Sequence, residues 1–286
     1  MSTTKRRGAN STYFGDIVES IKTLSKGLGL TLVKKLIDQG FSVAATSRRL
    51  NDLEKEVGKH EHFLPLEVDL TNEASVSAAL TSTISKFGRI DVVVNNAGYG
   101  LVGFFEELGL DEIRKQFETN FFGVLNVTKK VIPIMREQNR GTIINLSSGA
   151  GQVGFPGISA YVSTKFAIEG FSESLMYELF PFGIRVIIIE PGVIKTNFFN
   201  NCIVSDKSSK KGSLYSNSLK KIQNNIELMQ EHATPPIEVA KVILQALKTD
   251  EPKQRYVVGN DAVMILEAKR SLSDIEFKKM MMQNII

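Results

Sequence analysis

Short runs rich in β-branched apolar residues alternate along this chain with longer stretches in which apolar positions recur every three or four residues. FSVAATS (41–47) predicts a strand, and a charged helix follows from Asp52 to about Gly58. FLPLEVD (63–69) is strand-like, and TNEASVSAALTSTISKFG (71–88) has helical spacing, with Thr71 or Asn72 as N-cap and Gly88 as terminator. The runs IDVVVNN (90–96), GTIINLSS (141–148) and GIRVIIIEPG (183–192) are dense in Val and Ile, as parallel strands buried on both faces require. Helical patterns occupy about 111–138 and 159–180, and a further helix (235–250) and strand (254–259) follow. This alternation predicts an α/β fold, a doubly wound parallel sheet with right-handed crossovers. No repeat or interdomain linker appears, so 1–286 reads as a single domain. Residues 195–233 break the rhythm: polar and rich in Lys, Ser and Asn, they predict a mobile lid of loop and amphipathic helix. Residues 261–286 predict a helical tail suited to packing on a partner subunit.

Composition narrows the function classes. A chain of 286 residues at 42% hydrophobic can bury a large core, and 23% charged residues exclude wholesale disorder. One cysteine, Cys202, excludes a disulfide framework and a multi-cysteine zinc site. His60 and His62 flank Glu61, but no further ligand joins them, so no metal centre is expected. No apolar run reaches the roughly 18 residues of a membrane span. The first residues carry Lys5, Arg6 and Arg7 without the apolar core of a secretory signal. A cytoplasmic, metal-free protein is the expectation. The net charge of +4 is partly local, in those residues and in Lys207, Lys210, Lys211, Lys220 and Lys221. It reads as solvated surface rather than a nucleic-acid footprint, because aromatics do not interleave with it.

Candidate chemistry gathers at the carboxyl ends of the predicted strands, where parallel sheets bind ligands. Those ends carry Asp69, Asn95-Asn96-Ala97-Gly98, Ser147-Ser148 and Pro191-Gly192. Within the helix at 159–180, Tyr161 and Lys165 stand four apart and share a face. An ammonium about 4 Å from a phenol, at an effective ε near 20, favours phenolate by roughly 4 kcal/mol, an upper bound near three pKa units. Tyr and Lys four apart is a weak signal alone. Ser148 thirteen residues earlier and Asn120 in the preceding helix make it specific.

These motifs resemble the short-chain dehydrogenase/reductase family, of the NADP(H)-dependent carbonyl-reductase type. The resemblance rests on SKGLG (25–29), VDLT (68–71), NNAG (95–98), Asn120, INLSS (144–148), YVSTK (161–165) and PGVIKT (191–196), and runs from about Ser25 to the C-terminus. It implies a Rossmann-type fold and hydride transfer between NADP(H) and a carbonyl or alcohol substrate. It also implies a homodimer or homotetramer built from the helices at 111–138 and 159–180. By this likeness Tyr161 protonates the carbonyl oxygen, Ser148 orients it, Lys165 holds the nicotinamide ribose and lowers the Tyr161 pKa, and Asn120 anchors a water relay to Lys165. A proton donor and a polarising donor would thus converge on one developing oxyanion. Ser25, Lys26, Gly27 and Leu28 would lie in the glycine loop. Asn96, Ala97 and Gly98 would line the ribose, Asp69 would contact adenine, and Pro191, Gly192, Ile194 and Thr196 would bracket the nicotinamide and its adjoining phosphate. A medium-sized apolar substrate is expected, between Val153, Gly154 and Phe155, the loop 99–105, and Phe198 and Phe199.

Charge argues the cofactor. A strand that prefers NAD ends in an acid that bonds the ribose 2′-hydroxyl; here Ser47 stands there, followed by Arg48 and Arg49. A 2′-phosphate between Lys26 and Arg48 would gain two charge-assisted bonds of about 1.5–3 kcal/mol each. That favours NADP by roughly 10² to 10⁴.

The glycine loop departs from the family pattern. Lys22 stands where Thr belongs and Thr23 where the first Gly belongs, and a β-branched residue forced to positive φ costs on the order of 1–2 kcal/mol. DIVESIK (16–22) also puts charges into what should be a central buried strand. An NADP(H)-binding protein with impaired or no turnover is the alternative function, and three accounts of the segment are open: divergence that keeps cofactor binding, an N-terminal segment foreign to the ancestral chain, or a protein that has lost dinucleotide binding and serves another role. The intact set Asn120, Ser148, Tyr161 and Lys165 argues against the last.

Overall fold

Each apolar run picked out in the sequence becomes a strand of one parallel sheet. The computed structural model describes the backbone of Ile17–Ser20 together with residues 27–208 and 213–285. Lys22, Thr23, Ser25 and Lys26, and with them most of the glycine loop, lie outside the described residues. The strands are β1 (Ile17–Ser20), β2 (Val43–Ser47), β3 (Phe63–Glu67), β4 (Val92–Asn95), β5 (Leu101–Val102), β6 (Gly141–Leu146), β7 (Ile184–Pro191), β8 (Ile203–Val204) and β9 (Arg255–Val258). Seven of them form the main sheet in the order β3-β2-β1-β4-β6-β7-β9. The chain winds outward one way from β1 and then the other way from β4, so the order reverses between those two strands and opens a ligand crevice there.

Alternation along the strands builds two cores. Val43, Ala45, Val92, Val94, Ile144, Leu146, Ile187 and Ile189 face α1 (Leu28–Asp38) and α8 (Pro236–Lys248). The intervening Ala44, Val93, Ile143 and Val186 face α3 (Glu73–Phe87), α5 (Gly123–Glu137) and α6 (Ser159–Leu179). Successive residues pointing to opposite faces, both covered by helices, explain why these runs are apolar throughout. Of the two candidate N-caps for α3, Asn72 is the one used: its Oδ1 accepts from the Ser75 amide at 3.0 Å, and Gly88 closes the helix at φ 85°.

The central strand is the first surprise. Despite the charges that argued against it, Ile17–Ser20 lies between β2 and β4, with Ile17 opposite both Val43 and Val92. A site with a backbone ladder waiting on each side can override a segment's weak strand propensity. The helical pattern at 111–138 is also not one helix. It divides into α4 (Leu110–Phe117), a π turn (Glu118–Phe122) and α5. Such single π turns recur at functional sites, and this one carries Asn120.

The segment 195–233, expected as a lid, contains a 3₁₀ turn at Phe199–Asn201, then β8, and α7 (Ser216–Glu231). β8 pairs in parallel with β5, a two-residue contact too short for periodicity to announce. The tail forms α9 (Asn260–Ser271) and α10 (Asp274–Ile285), and it packs on its own chain. Leu266 and Phe277 enclose Val153, with Phe155, Met280 and Met281 against them. Val153 and Phe155 are therefore engaged with the tail, which corrects the expectation of open pocket walls. The remaining helix, α2 (Leu50–Val57), follows β2.

Candidate active site

The carboxyl ends of β4, β6 and β7 bring the candidate catalytic side chains together. Ser148 follows β6 in extended backbone, and its hydroxyl accepts from the Ala150 amide at 3.1 Å and reaches the Pro191 carbonyl at 3.3 Å. That hydroxyl lies close enough to the Tyr161 phenol to oppose the rise in its pKa. Tyr161 and Lys165 lie one turn apart on α6, with Lys165 Nζ 5.8 Å from the Tyr161 ring centroid. Lys165 is buried and donates to the Leu146 carbonyl at 2.6 Å.

Asn120 is fixed from three sides. Its Oδ1 accepts from the Tyr99 amide at 3.0 Å, and its Nδ2 donates to the Tyr99 carbonyl at 2.9 Å and faces the Thr164 hydroxyl at 3.3 Å. The π turn widens the helix where this side chain turns inward, and Gly98 is close enough that a Cβ there would press on Asn120 Oδ1 at 3.4 Å. Thr164 stood in the sequence only as part of YVSTK and Tyr99 only as part of the loop 99–105, neither as a partner of Asn120. Nothing in their spacing marks them, because their role is to hold Asn120 rather than to do chemistry.

Electrostatics run against one sequence expectation. Burial raises the Tyr161 pKa above the usual phenol range, the Ser148 hydrogen bond opposes this, and the nearby Cys202 thiol adds to it. The ammonium at i+4 does not reverse that balance: it lies beside the ring and spends a hydrogen bond on Leu146. Burial also pulls Lys165 down to about 8, while Glu169 a turn further along α6 opposes the drop. Cys202, pushed up to about 11 by burial, lies in the same cleft. The Phe198 ring stands 5.9 Å from that of Tyr161, and Phe104 stacks on Tyr215 at 4.2 Å.

The candidate cofactor residues line the crevice. α1 starts there with Gly27 as N-cap and Leu28 as its first residue, no side-chain cap and no acid in its first turn. Its partial positive charge is left for an anion such as a phosphate. At the end of β2, Ser47 accepts from the Arg49 amide at 3.0 Å, and Arg49 turns to Asp52 at 3.1 Å. Arg48 is left exposed, and its charge is felt at Tyr99 across the crevice. Asn96, Ala97 and Gly98 follow β4 in this region. Asn95 instead points inward and donates to Asn145 at 2.8 Å. Asp69 accepts from the Thr71 amide and hydroxyl at 3.0 and 2.8 Å, organising the turn before α3. β7 ends at Pro191, and Gly192 next to it lies against Asp261, which accepts from the Val193 amide at 2.6 Å. Ile194 bridges to Thr234, and the Thr196 hydroxyl accepts from the Phe198 amide at 3.2 Å. Asp261, which fastens this segment, carries no sequence signal beyond its place at the start of α9.

The short chain dehydrogenase model matches residues 21–206, beginning just after β1. The chain belongs to the short-chain dehydrogenase/reductase family. It is 37% identical over 245 residues to a protein named 3-ketodihydrosphingosine reductase from Bacteroides thetaiotaomicron, covering 86% of this chain and 88% of that one. A short-chain dehydrogenase from Streptomyces avermitilis superposes with a TM-score of 0.80 at 32% identity, covering 93% of this chain and 96% of that one. The closed form of serine dehydrogenase complexed with NADP+ gives a TM-score of 0.71 at 26% identity, over 84% of this chain and 94% of that one. The protein is thus an oxidoreductase of a family whose members bind nicotinamide dinucleotides. Among the described residues, no helix is long and apolar enough to cross a membrane, and no group of three or more His, Cys, Asp or Glu could hold a metal ion.

Proposed function

We propose that this short-chain dehydrogenase is an NADP(H)-dependent carbonyl reductase, or its reverse, an alcohol dehydrogenase, with Tyr161 as general acid/base. The observation that carries the reading is the gathering of Ser148, Tyr161 and a buried Lys165 beside the carboxyl ends of β6 and β7. Bound NADPH supplies the hydride. Ser148 donates to the substrate oxygen and orients it, and Tyr161 holds the proton that oxygen must receive. Lys165 offers donors toward the cofactor ribose, and Asn120, held by Tyr99 and Thr164, would anchor a water relay to Lys165.

The fit of a dinucleotide is supported by the uncapped start of α1 at the strand-order reversal and by small Ala97 and Gly98 at the β4 end. Exposed Arg48, with no acid at position 47, favours the 2′-phosphate of NADP. The aromatic walls Phe104, Phe198 and Tyr215 favour an apolar substrate, and the relative named for a 3-keto compound is in keeping with a ketone. Exposed Phe122, Phe166, Tyr177 and Phe180 on α6 and its neighbours support a homodimer or homotetramer.

The test is NADPH oxidation against a panel of apolar ketones and aldehydes, with wild type and Tyr161→Phe. The variant should lose turnover and keep NADPH affinity within about threefold, since a phenol hydroxyl is removed and little volume changes. Undiminished turnover in Tyr161→Phe overturns the catalytic assignment.

A further inference from the structure

One acidic side chain beside the cleft holds a place that the proposed reaction leaves unused. Asp261 stands in the first turn of α9, at the start of the tail. Its Oδ2 accepts from the Val193 amide at 2.6 Å, and the space that a Cβ on Gly192 would fill is taken by the same carboxylate. Behind it lies Gly259, at φ 107°, where a Cβ would come to 2.7 Å from Asp261 Oδ1. Two glycines thus make room for a carboxylate against the loop after β7. Backbone bonds lace the loop around it: the Gly192 amide donates to the Val258 carbonyl at 2.8 Å, and the Thr234 amide to the Val193 carbonyl at 2.9 Å.

Ordinary reasons for an acid here account for only part of this arrangement. An acid in the first turn of a helix offsets the helix dipole, and a side-chain oxygen that takes a backbone amide fastens a loop. Asparagine would fasten the loop as well; what it would lack is the charge. That charge meets the N-terminal end of α9 and no cation: among the described residues no lysine, arginine or histidine forms an ion pair with Asp261. The loop it backs is close to the chemistry, because the carbonyl of Pro191, next to Gly192, lies 3.3 Å from Ser148 Oγ. A hydride donor must come within about 3–3.5 Å of the carbon whose oxygen Ser148 and Tyr161 address. The ring that delivers the hydride therefore belongs beside Ser148 and the corner at Pro191 and Gly192. That ring is neutral in NADPH and carries a positive charge in NADP+.

We propose that Asp261 sets the preference of the cofactor site between its two redox forms: an unpaired carboxylate against Gly192 favours the cationic oxidised nicotinamide over the neutral reduced one. The inference rests on the dinucleotide site proposed above and deepens it. Carbonyl reduction ends in the oxidised form, so the carboxylate favours the product side of hydride transfer on the protein.

The experiment is calorimetry of NADP+ and of NADPH binding to the full-length protein, wild type against Asp261→Asn, whose carboxamide oxygen can still accept from the Val193 amide. A unit charge acting over about 10 Å, at an effective ε of about 20 to 40, changes an affinity by roughly 4- to 15-fold. Asp261→Asn should weaken NADP+ by a factor in that range and leave NADPH nearly unchanged. Asp261→Ser keeps a short polar side chain at the start of α9 and carries the test if Asp261→Asn does not fold. It loosens the loop, so both forms should weaken, NADP+ by the larger factor. An unmoved ratio of the two affinities overturns the proposal, as does equal weakening of both forms, because Asp261 would then be a fastener of the loop and nothing more. Failure of wild type to bind either form overturns the dinucleotide reading and this inference with it, whereas binding with an unmoved ratio counts against Asp261 alone.

Discussion

Arg48 offers the sharpest test of cofactor choice, because its contribution can be sized and should fall on one cofactor only. Its guanidinium stands exposed at the end of β2, while Arg49 is spent on Asp52 at 3.1 Å. One charge-assisted bond to a 2′-phosphate contributes about 1.5–3 kcal/mol. Exposure and physiological salt, with a Debye length of about 8 Å, reduce that toward the surface-pair range. About 1–2 kcal/mol remains, or roughly 5- to 30-fold in Kd. Arg48→Ala should weaken NADPH by that factor and leave NADH within twofold. Calorimetry at two ionic strengths is the assay, with cofactor fluorescence as a second probe uncluttered by tryptophan, since the chain has none. The wild-type preference for NADPH should shrink as salt rises, and the Arg48→Ala preference should depend on salt less. Equal weakening of both cofactors would refute the reasoning, because Arg48 would then be shaping the crevice rather than reading a phosphate.

Three further outcomes follow from the site. Lys165 sits near pKa 8 in the fold against 10.5 unfolded, so between those values the unfolded chain binds more protons and stability rises with pH. In urea melts the stability difference between wild type and Lys165→Met should grow by up to about 3 kcal/mol in favour of wild type from pH 7.5 to 10.5, while Cys202 and Tyr161, both held protonated by burial, pull the stability of both proteins down above about pH 9. Gly192→Ala places a Cβ against the Asp261 carboxylate, freeing the Val193 amide; NADPH affinity should fall at least several-fold, and Gly192→Ala/Asp261→Gly should recover part of it. Cys202, near pKa 11, holds little thiolate at pH 8, so Ellman's reagent should label it orders of magnitude more slowly than free cysteine and more slowly still with NADPH present.

The main sheet was legible because both of its faces are covered, which forces unbroken runs of Val and Ile at β4, β6 and β7. Of the candidate catalytic residues, Ser148 stood out at a strand end, and Tyr161, Lys165 and Asn120 through spacing and motifs that resemble the family; the fold places Ser148 beside β6 and β7, Tyr161 and Lys165 on α6, and Asn120 in the π turn. What escaped the sequence was of two kinds. Contacts between distant short segments, such as β5 with β8 or Asp261 with the loop after β7, leave no local period. Segments whose conformation is imposed by neighbours, such as β1 between β2 and β4, have a pattern that argues the other way. The Tyr161 ionisation failed for a third reason: helical spacing sets the face that two side chains share, but not how deeply the phenol is buried or where the ammonium spends its hydrogen bonds.

That failure bears on the chemistry. An expectation of easy phenolate suits a general base, whereas the cleft as folded holds Tyr161 protonated well past neutrality and keeps Lys165 charged only below about 8. At neutral pH the two therefore stand as a neutral phenol beside an ammonium, the protonation state that carbonyl reduction consumes. The reverse reaction must first take a proton from Tyr161, against burial and with only the Ser148 hydrogen bond to help. On the proposed reading, folding thus loads the proton that reduction needs.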